Sequence, residues 1–400
     1  MSPLPTAPAA PADHDARLRT AYLDEVIQTI YPAGPGPASF LVLPHPRRPR
    51  LLVPAGAWRA GAAAVRHATE PQSRRSRLAR RTVAAAVRAG AADLLLRGRI
   101  RVDPDGSLQQ HLAELLDTPV IVSIQIGPAR ANRKPVLQLL STAGETIGFA
   151  KLGTGPLTRR LVRAEADALT ALAGHRLRQL TVPRVVHAGR WRDHELLVQS
   201  AMPVWQRRAE LYQHRLALAM RELAYCAGVL EATLATSDYW HRLQERVLVA
   251  TGQPEGATLA TAAARLHDRA GAARLRFGAW HGDWSPWNMA ALPHTLLVWD
   301  WERFATGVPV GFDAVHYDLQ CRLRSTSDAA AAVHATLAAA GDLLAPFGVP
   351  PAARRVTAQL YLVDLAARYL ADRQAEAGAR LGVLGSWLLP ALIRSLEEER

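Results

Sequence analysis

The residues best suited to chemistry lie in one short stretch, His281-Gly282-Asp283-Trp284-Ser285-Pro286-Trp287-Asn288. Asp300 follows twelve residues later, at the end of the apolar run Leu296-Leu-Val-Trp. A carboxylate that follows four apolar residues is costly to bury unless it is paired or binds a metal. Phosphoryl transfer to a hydroxyl needs one carboxylate to orient the hydroxyl and accept its proton. It also needs oxygen ligands for a Mg²⁺ ion that bridges the phosphates. Asp283 fits the base. Asn288, five residues on, can offer an amide oxygen across a tight loop that Pro286 keeps from becoming helical. Asp300 fits the main metal ligand, and His281 suits a bracing role in the loop.

A second signal lies upstream. The chain has 48 basic residues, and only Lys134 and Lys151 are lysines, 17 residues apart. An ammonium is a compact point charge where a guanidinium is a wide fork, so a narrow phosphate site can require it. Lys151 ends the apolar strand pattern Ile147-Gly-Phe-Ala-Lys151 and needs an anionic partner. The helical pattern that follows offers Glu165, at the edge of a face formed by Leu161, Ala164, Ala168, Leu169 and Leu172. A Lys151–Glu165 pair would hold the ammonium for the α- and β-phosphates of a nucleotide. The loop 127–134 has one glycine, Gly127, and the cations Arg130, Arg133 and Lys134, all suited to phosphates. It lacks the Gly-Lys-Ser/Thr of a Walker A loop.

With these residues in place, the sequence resembles the aminoglycoside phosphotransferase-like family. That family includes choline, homoserine and sugar kinases and shares the protein-kinase fold. The resemblance rests on His281-Gly-Asp283-(four)-Asn288, on Asp300-Trp301-Glu302, and on Gly311-Phe-Asp313-Ala-Val-His-Tyr-Asp318-Leu, and it covers about 118–375. It implies ATP and Mg²⁺ as cofactors and Asp283 as base. It implies Asn288 and Asp300 as metal ligands, and a hinge at Gln199, Ser200, Ala201 and Met202 that binds adenine through its backbone. Glu302 and Asp313 are structural or substrate-side candidates by the same resemblance.

The elements that must position these residues can be read from pattern. Residues 1–13, rich in Pro and Ala, are expected to be disordered and carry no signal-peptide pattern. The span 14–117 reads as a small α/β region of its own. It holds a helix over 14–31, a hairpin of Phe40–Leu43 with Arg50–Val53, helices near 57–68 and 76–96, a strand at Ile100–Val102 and a helix at Leu108–Leu116. The span 118–203 reads as a five-stranded antiparallel nucleotide-binding lobe with one helix, Thr158–Leu172, after its third strand. The span 204–400 reads as a helical lobe with a short β element around 277–300. The expected fold class is therefore α+β, two-lobed and protein-kinase-like, with an N-terminal extension.

Composition narrows the partners. The net charge is +13, but the arginines are spread along the chain, and the densest cluster, Arg74–Arg81, reads as a solvated helix face. Nucleic acid is not the expected partner. No apolar run reaches bilayer length; the Ala-rich stretch Asp328–Ala345, broken by His334 and Asp342, reads as a core helix. Cys226 and Cys321 read as buried free thiols of a cytoplasmic protein. The oligomeric state is left open. Trp284, Trp287 and Trp301 could stack on a sugar ring or a cation, with core packing as the alternative. The span 206–275 has no dense acidic cluster, which disfavours a polycationic aminoglycoside. The expected acceptor is a hydroxyl of a small molecule such as a sugar. The alternatives are an aminoglycoside, a peptide or protein serine or threonine, and a nucleotide-binding pseudokinase with a regulatory role.

Overall fold

The computed structural model describes residues 11–67, 82–89 and 98–398. The cluster Arg74–Arg81 and most of the helix expected near 76–96 lie outside them, as do residues 1–10; 82–88 is helical. The first helix, α1 (Pro11–Ile30), begins inside the expected tail. The chain divides into two compact units, Met1–Val162 with Val185–Ala201, and Arg163–Arg184 with Met202–Arg400.

The first unit is built on one sheet. Its strands are β1 (Ala38–His45), β2 (Arg48–Pro54), β3 (Arg99–Val102), β4 (Ile121–Gln125), β5 (Val136–Leu140), β6 (Thr146–Gly153), β8 (Val185–Trp191) and β9 (His194–Ser200). They run in the order β3-β1-β2-β4-β5-β6-β9-β8, and every pair is antiparallel. The five strands expected in 118–203 are β4, β5, β6, β9 and β8, and the same sheet continues through β2, β1 and β3, so residues 14–117 share one unit with them where a region of their own was expected. The joint is the pairing of β2 with β4, Leu51↔Gln125 and Leu52↔Ile124. The reason lies in the hairpin itself. Phe40, Val42 and Leu52 pack on one face of the sheet, with Val26 and Ile30 of α1, while Leu41, Leu43, Leu51 and Val53 pack on the other. The second cluster includes Ala60 and Ala64 of α2 (Trp58–His67). Strands buried on both faces read as continuous apolar runs, and such a hairpin cannot stand alone.

The second unit is mainly helical. Its principal helices are α5 (Gln213–Cys226), α6 (Asp238–Ala250), α7 (Gly256–Ala270), α8 (Phe312–Ser325), α9 (Ala329–Ala338), α10 (Ala340–Leu344), α11 (Pro351–Ala371) and α12 (Leu388–Glu397). The helix α4 (Pro156–Ala173) begins in the first unit and continues in this one; α3 (Leu108–Leu115) belongs wholly to the first. The longest helix of this unit, α11, buries Leu360, Tyr361, Val363 and Leu365 and packs against α6, α7, α8 and α12. Two small sheets complete the unit. One orders β10 (Leu230–Thr233), β11 (Arg274–Trp280) and β14 (Ala305–Pro309); the other orders β12 (Met289–Ala291), β13 (Leu296–Val298) and β7 (Leu180–Thr181). The expected short β element is thus two three-stranded sheets.

Among the described residues no single helix is long and apolar enough to cross a membrane. The Ala-rich stretch is two helices bent by 57° and buries Val333, Leu337 and Leu344. Cys226 and Cys321 are free and half-buried rather than buried.

The continuous sheet makes a prediction about truncation. A chain lacking residues 1–117 exposes the β4 edge and strips the cover from Val122, Ile124, Leu137 and Leu139, all buried in the intact unit. It is expected to aggregate on size-exclusion chromatography, whereas a monodisperse, cooperatively melting truncation would show that the β2–β4 joint is dispensable.

Candidate active site

The site grows from the end of β11. Beyond Trp280 the chain leaves the sheet, and two of its amides are held by one carboxylate. Asp313, in the first turn of α8, accepts from the His281 N–H at 2.7 Å and the Gly282 N–H at 3.1 Å. Burial pushes the Asp313 carboxyl up to about 7, with the two amide hydrogen bonds opposing the shift. Gly282 has φ +82°, and a Cβ there would lie 2.3 Å from the Arg303 carbonyl oxygen. Only glycine fits. The Gly282 carbonyl in turn accepts from the Arg368 guanidinium on α11.

His281 is fully buried and takes the expected bracing role. Its Nδ1 accepts from the Asp283 N–H at 3.1 Å, and its Nε2–H donates to the Trp299 carbonyl at 3.1 Å. One neutral imidazole therefore ties the start of the loop to the turn before Asp300. Burial is the main cause that lowers its pKa to about 4.

The Asp283 side chain is 28% exposed, and both of its oxygens are held. Oδ1 lies 3.1 Å from Nε2 of His316, and Oδ2 accepts from Nδ2 of Asn288 at 3.0 Å. Burial would raise this carboxyl, but the His316 hydrogen bond and the nearby Arg368 hold it below the usual carboxylate value. Asp283 is thus an oriented carboxylate at neutral pH.

The hairpin β12–β13 sets the second group of oxygens. Its register, Met289↔Val298, and the Trp299 N–H to Asn288 O bond of 3.0 Å bring Asn288 and Asp300 to adjoining strand ends. Asp300 adopts φ +72°, a conformation that costs a non-glycine residue energy and collects at functional sites. Glu165 of α4 is fully buried and accepts from the Trp301 N–H at 3.3 Å. Glu165, Asp300 and Glu302 each offer a carboxylate oxygen, all within 4.8 Å of one another. Three carboxylates this close repel, and a hard divalent cation suits such an all-oxygen set. Asn288 spends its amide nitrogen on Asp283, so the atom it can offer a cation is the oxygen. Asn288 and Asp300, the two expected metal ligands, thus lie at adjoining strand ends, and the carboxylates of Glu165 and Glu302 lie beside that of Asp300.

The tryptophans sort differently from expectation. Trp284 is fully buried, with Nε1–H on the Met289 sulfur at 3.4 Å. Trp301 is fully buried, with Nε1–H on the Val298 carbonyl and its ring 4.5 Å from His281. Both indoles are core, because their N–H groups and faces are spent on the loop itself; neither can stack on an acceptor. Trp287 is half-buried under the Arg324 guanidinium at 5.3 Å.

The upstream candidates lie mostly in the first unit. Lys134 and Lys151 are both buried, and the register Val136↔Lys151 puts the two lysines at the same end of the β5–β6 pair. Arg130 is exposed. Arg133 is committed to α1: its guanidinium lies 3.7 Å over the Tyr22 ring and donates to the Leu18 carbonyl. Gln199 is buried, with no partner for its Oε1 among the described residues; Ser200 ends β9; Ala201 N–H donates to Ile147 O at 3.4 Å. Met202 packs in the second unit with Ala290, Leu292 and Leu297. Glu165 also belongs to the second unit, and Lys151 to the first.

Three residues at the site were not singled out from sequence, His316, Tyr361 and Arg368. His316 lies one helical turn after Asp313, so α8 presents both on one face. That spacing within Gly311–Asp318 was the available signal. Tyr361, in the middle of α11, carries no local signal.

No family model matches the chain, and no curated protein does. Solved structures show distant likeness. Choline kinase LicA from Streptococcus pneumoniae is 13% identical, with a TM-score of 0.47 over 73% of this chain and 98% of that one. The apo form of a thermostable mutant of aminoglycoside phosphotransferase APH(4)-Ia is 11% identical, with a TM-score of 0.45 over 73% and 99%. Amicoumacin kinase hAmiN is 12% identical, with a TM-score of 0.42 over 74% and 94%. At this similarity the chemistry has to be argued from the site itself.

The geometry predicts two stability effects. Gly282→Ala forces a Cβ against backbone at positive φ and should lower stability by about 2 kcal/mol or more, read as a drop in urea midpoint. His281 titrates near 6.5 when unfolded and near 4 when folded. Its depressed folded value means that the contribution of His281 is complete above pH 6.5 and is lost progressively as pH falls toward 4, by roughly 3 kcal/mol, while the raised Asp313 acts in the opposite sense over the same window. The stability of a His281→Gln chain relative to the wild type should therefore rise as pH falls through that window, read from the two urea midpoints.

Proposed function

We propose that this chain is an ATP- and Mg²⁺-dependent phosphotransferase of the aminoglycoside phosphotransferase-like, protein-kinase-fold class. It moves the γ-phosphoryl group to a hydroxyl of a small molecule, such as a sugar. The observation that carries this reading is the pairing of two acidic centres in one unit. Asp283 is oriented by His316 and Asn288, and Asp300 converges with Glu165 and Glu302. One centre suits a hydroxyl proton and the other a divalent cation.

In this reading Asp283 orients the acceptor hydroxyl and takes its proton as the phosphoryl group leaves ATP. A carboxylate held below its usual pKa is a weak base, which suits proton uptake late in a loose transfer. Asn288 and Asp300, with Glu165 or Glu302 beside them, hold the cation. Mg²⁺, when bound, neutralises phosphate charge. Lys151 and Lys134 meet the phosphates as compact cations, and the backbone of Gln199–Met202 meets the adenine. The cytoplasm is the proposed compartment. The buried Trp284 and Trp301 remove most of the aromatic argument for a stacked acceptor; of the three expected indoles, Trp287 alone is half-buried rather than buried.

Asp283→Ala should lower Mg-ATP turnover about 10³-fold with pooled sugar and amino-alcohol acceptors, while nucleotide affinity stays within about twofold. Asp300→Ala should weaken Mg²⁺-dependent nucleotide binding by about tenfold or more, read by calorimetry with and without Mg²⁺. Wild-type turnover in the Asp283→Ala chain would remove Asp283 as the base.

A further inference from the structure

We infer that His316 is a positioning residue, held by Tyr361 as a neutral Nε2–H donor that orients the Asp283 carboxylate without neutralising it. This rests on the phosphotransferase reading for the role of Asp283, and on hydrogen-bond geometry and burial for the state of the imidazole.

The argument runs along one buried chain of hydrogen bonds. An ionised Asp283 can only accept, so the 3.1 Å contact from Oδ1 to Nε2 of His316 requires a proton on Nε2. The other ring nitrogen, Nδ1, lies 2.8 Å from the Tyr361 hydroxyl. A phenol can donate to a neutral Nδ1 or accept from a charged one. The surroundings choose between them. His316 is 1% exposed, and Tyr361 is fully buried. The Tyr361 ring packs edge-on against His316 at 5.8 Å and against Phe312 at 5.7 Å. Burial lowers the pKa of His316, its bond to Asp283 opposes this, and Arg368 adds to the lowering. The Tyr361 hydroxyl proton stays on oxygen, since burial raises its pKa well above the ordinary value. Tyr361 therefore donates to Nδ1, and His316 donates to Asp283.

The chemical consequence concerns the base. An imidazolium at this distance would cancel the carboxylate's charge and make proton uptake from a hydroxyl costly. A neutral imidazole fixes the direction of Oδ1 and leaves the full negative charge on Asp283. Asn288 does the same at Oδ2. Two uncharged donors thus aim one base, as second partners do around other catalytic carboxylates and imidazoles.

The test uses the full chain with Mg-ATP, with water and pooled sugars and amino alcohols as acceptors. His316→Leu removes the donor and should lower kcat about 100-fold, with the KM for ATP within about twofold. His316→Gln can present an amide N–H from near the Nε2 position and should stay within about fivefold of the wild type. Tyr361→Phe keeps the ring packing, frees the tautomer and should lower kcat about tenfold. In the ¹⁵N spectrum of the wild-type imidazoles, the signal lost in His316→Gln should be that of a neutral Nε2–H ring at pH 7.

The inference is overturned if His316→Leu keeps wild-type kcat or if Gln and Leu at 316 lose equal activity. A charged or Nδ1–H ring at pH 7 overturns it as well. A wild-type chain with no ATP turnover would count against the phosphotransferase reading, and the ¹⁵N spectrum would still decide the state of His316.

Discussion

Asp313 is the constraint from which the rest of the site follows. One buried carboxylate takes both amides of His281 and Gly282 and so bends the chain off β11 at a fixed angle. That bend needs glycine at 282, presents the Asp283 amide to Nδ1 of His281, and aims the Asp283 side chain at α8. The next turn of α8 then supplies His316 to meet it. A helix N-terminal turn favours a carboxylate, so α8 is stabilised by the residue that anchors the loop.

The electrostatics of the second unit are arranged around buried acids. Asp364 is answered by Arg246 at 2.8 Å and Asp372 by Arg303, both as buried or partly buried ion pairs. At Asp283 the partners differ in kind: His316 and Asn288 are neutral donors. Charge is cancelled where the carboxylate is structural and preserved where chemistry is proposed.

The first unit shows how an extension is absorbed by a sheet. The β1–β2 hairpin is apolar on both faces, so it needs cover on two sides and an edge to pair with. Helix α1 covers one face and then reaches the loop at 127–134 through Arg133 on Tyr22 and Arg19 on the Ile126 carbonyl. A cation that local composition offers to phosphate is thereby spent on the fold.

Local signals in the sequence were enough for most of the elements and for naming the candidate residues. Strand and helix periodicity placed β5 and α3 to within a residue or so, because burial on one face imposes its period on neighbouring positions. Scarcity of lysine marked Lys134 and Lys151, and spacing marked Asp283, Asn288 and Asp300, because a loop that holds a carboxylate beside an amide allows few residue counts. Tertiary structure decided the rest. Which strands share a sheet depends on contacts such as Leu52 with Ile124, far apart in the chain. Whether an indole faces solvent or core depends on what packs over it, as at Trp284 and Trp301. His316, which meets Asp283, and Tyr361, which holds His316, lie on helices that begin 29 and 68 residues after Asp283, at Phe312 of α8 and Pro351 of α11, and no local pattern encodes hydrogen bonds across that distance. The sequence by itself determined which groups could react; packing determined which of them are aimed.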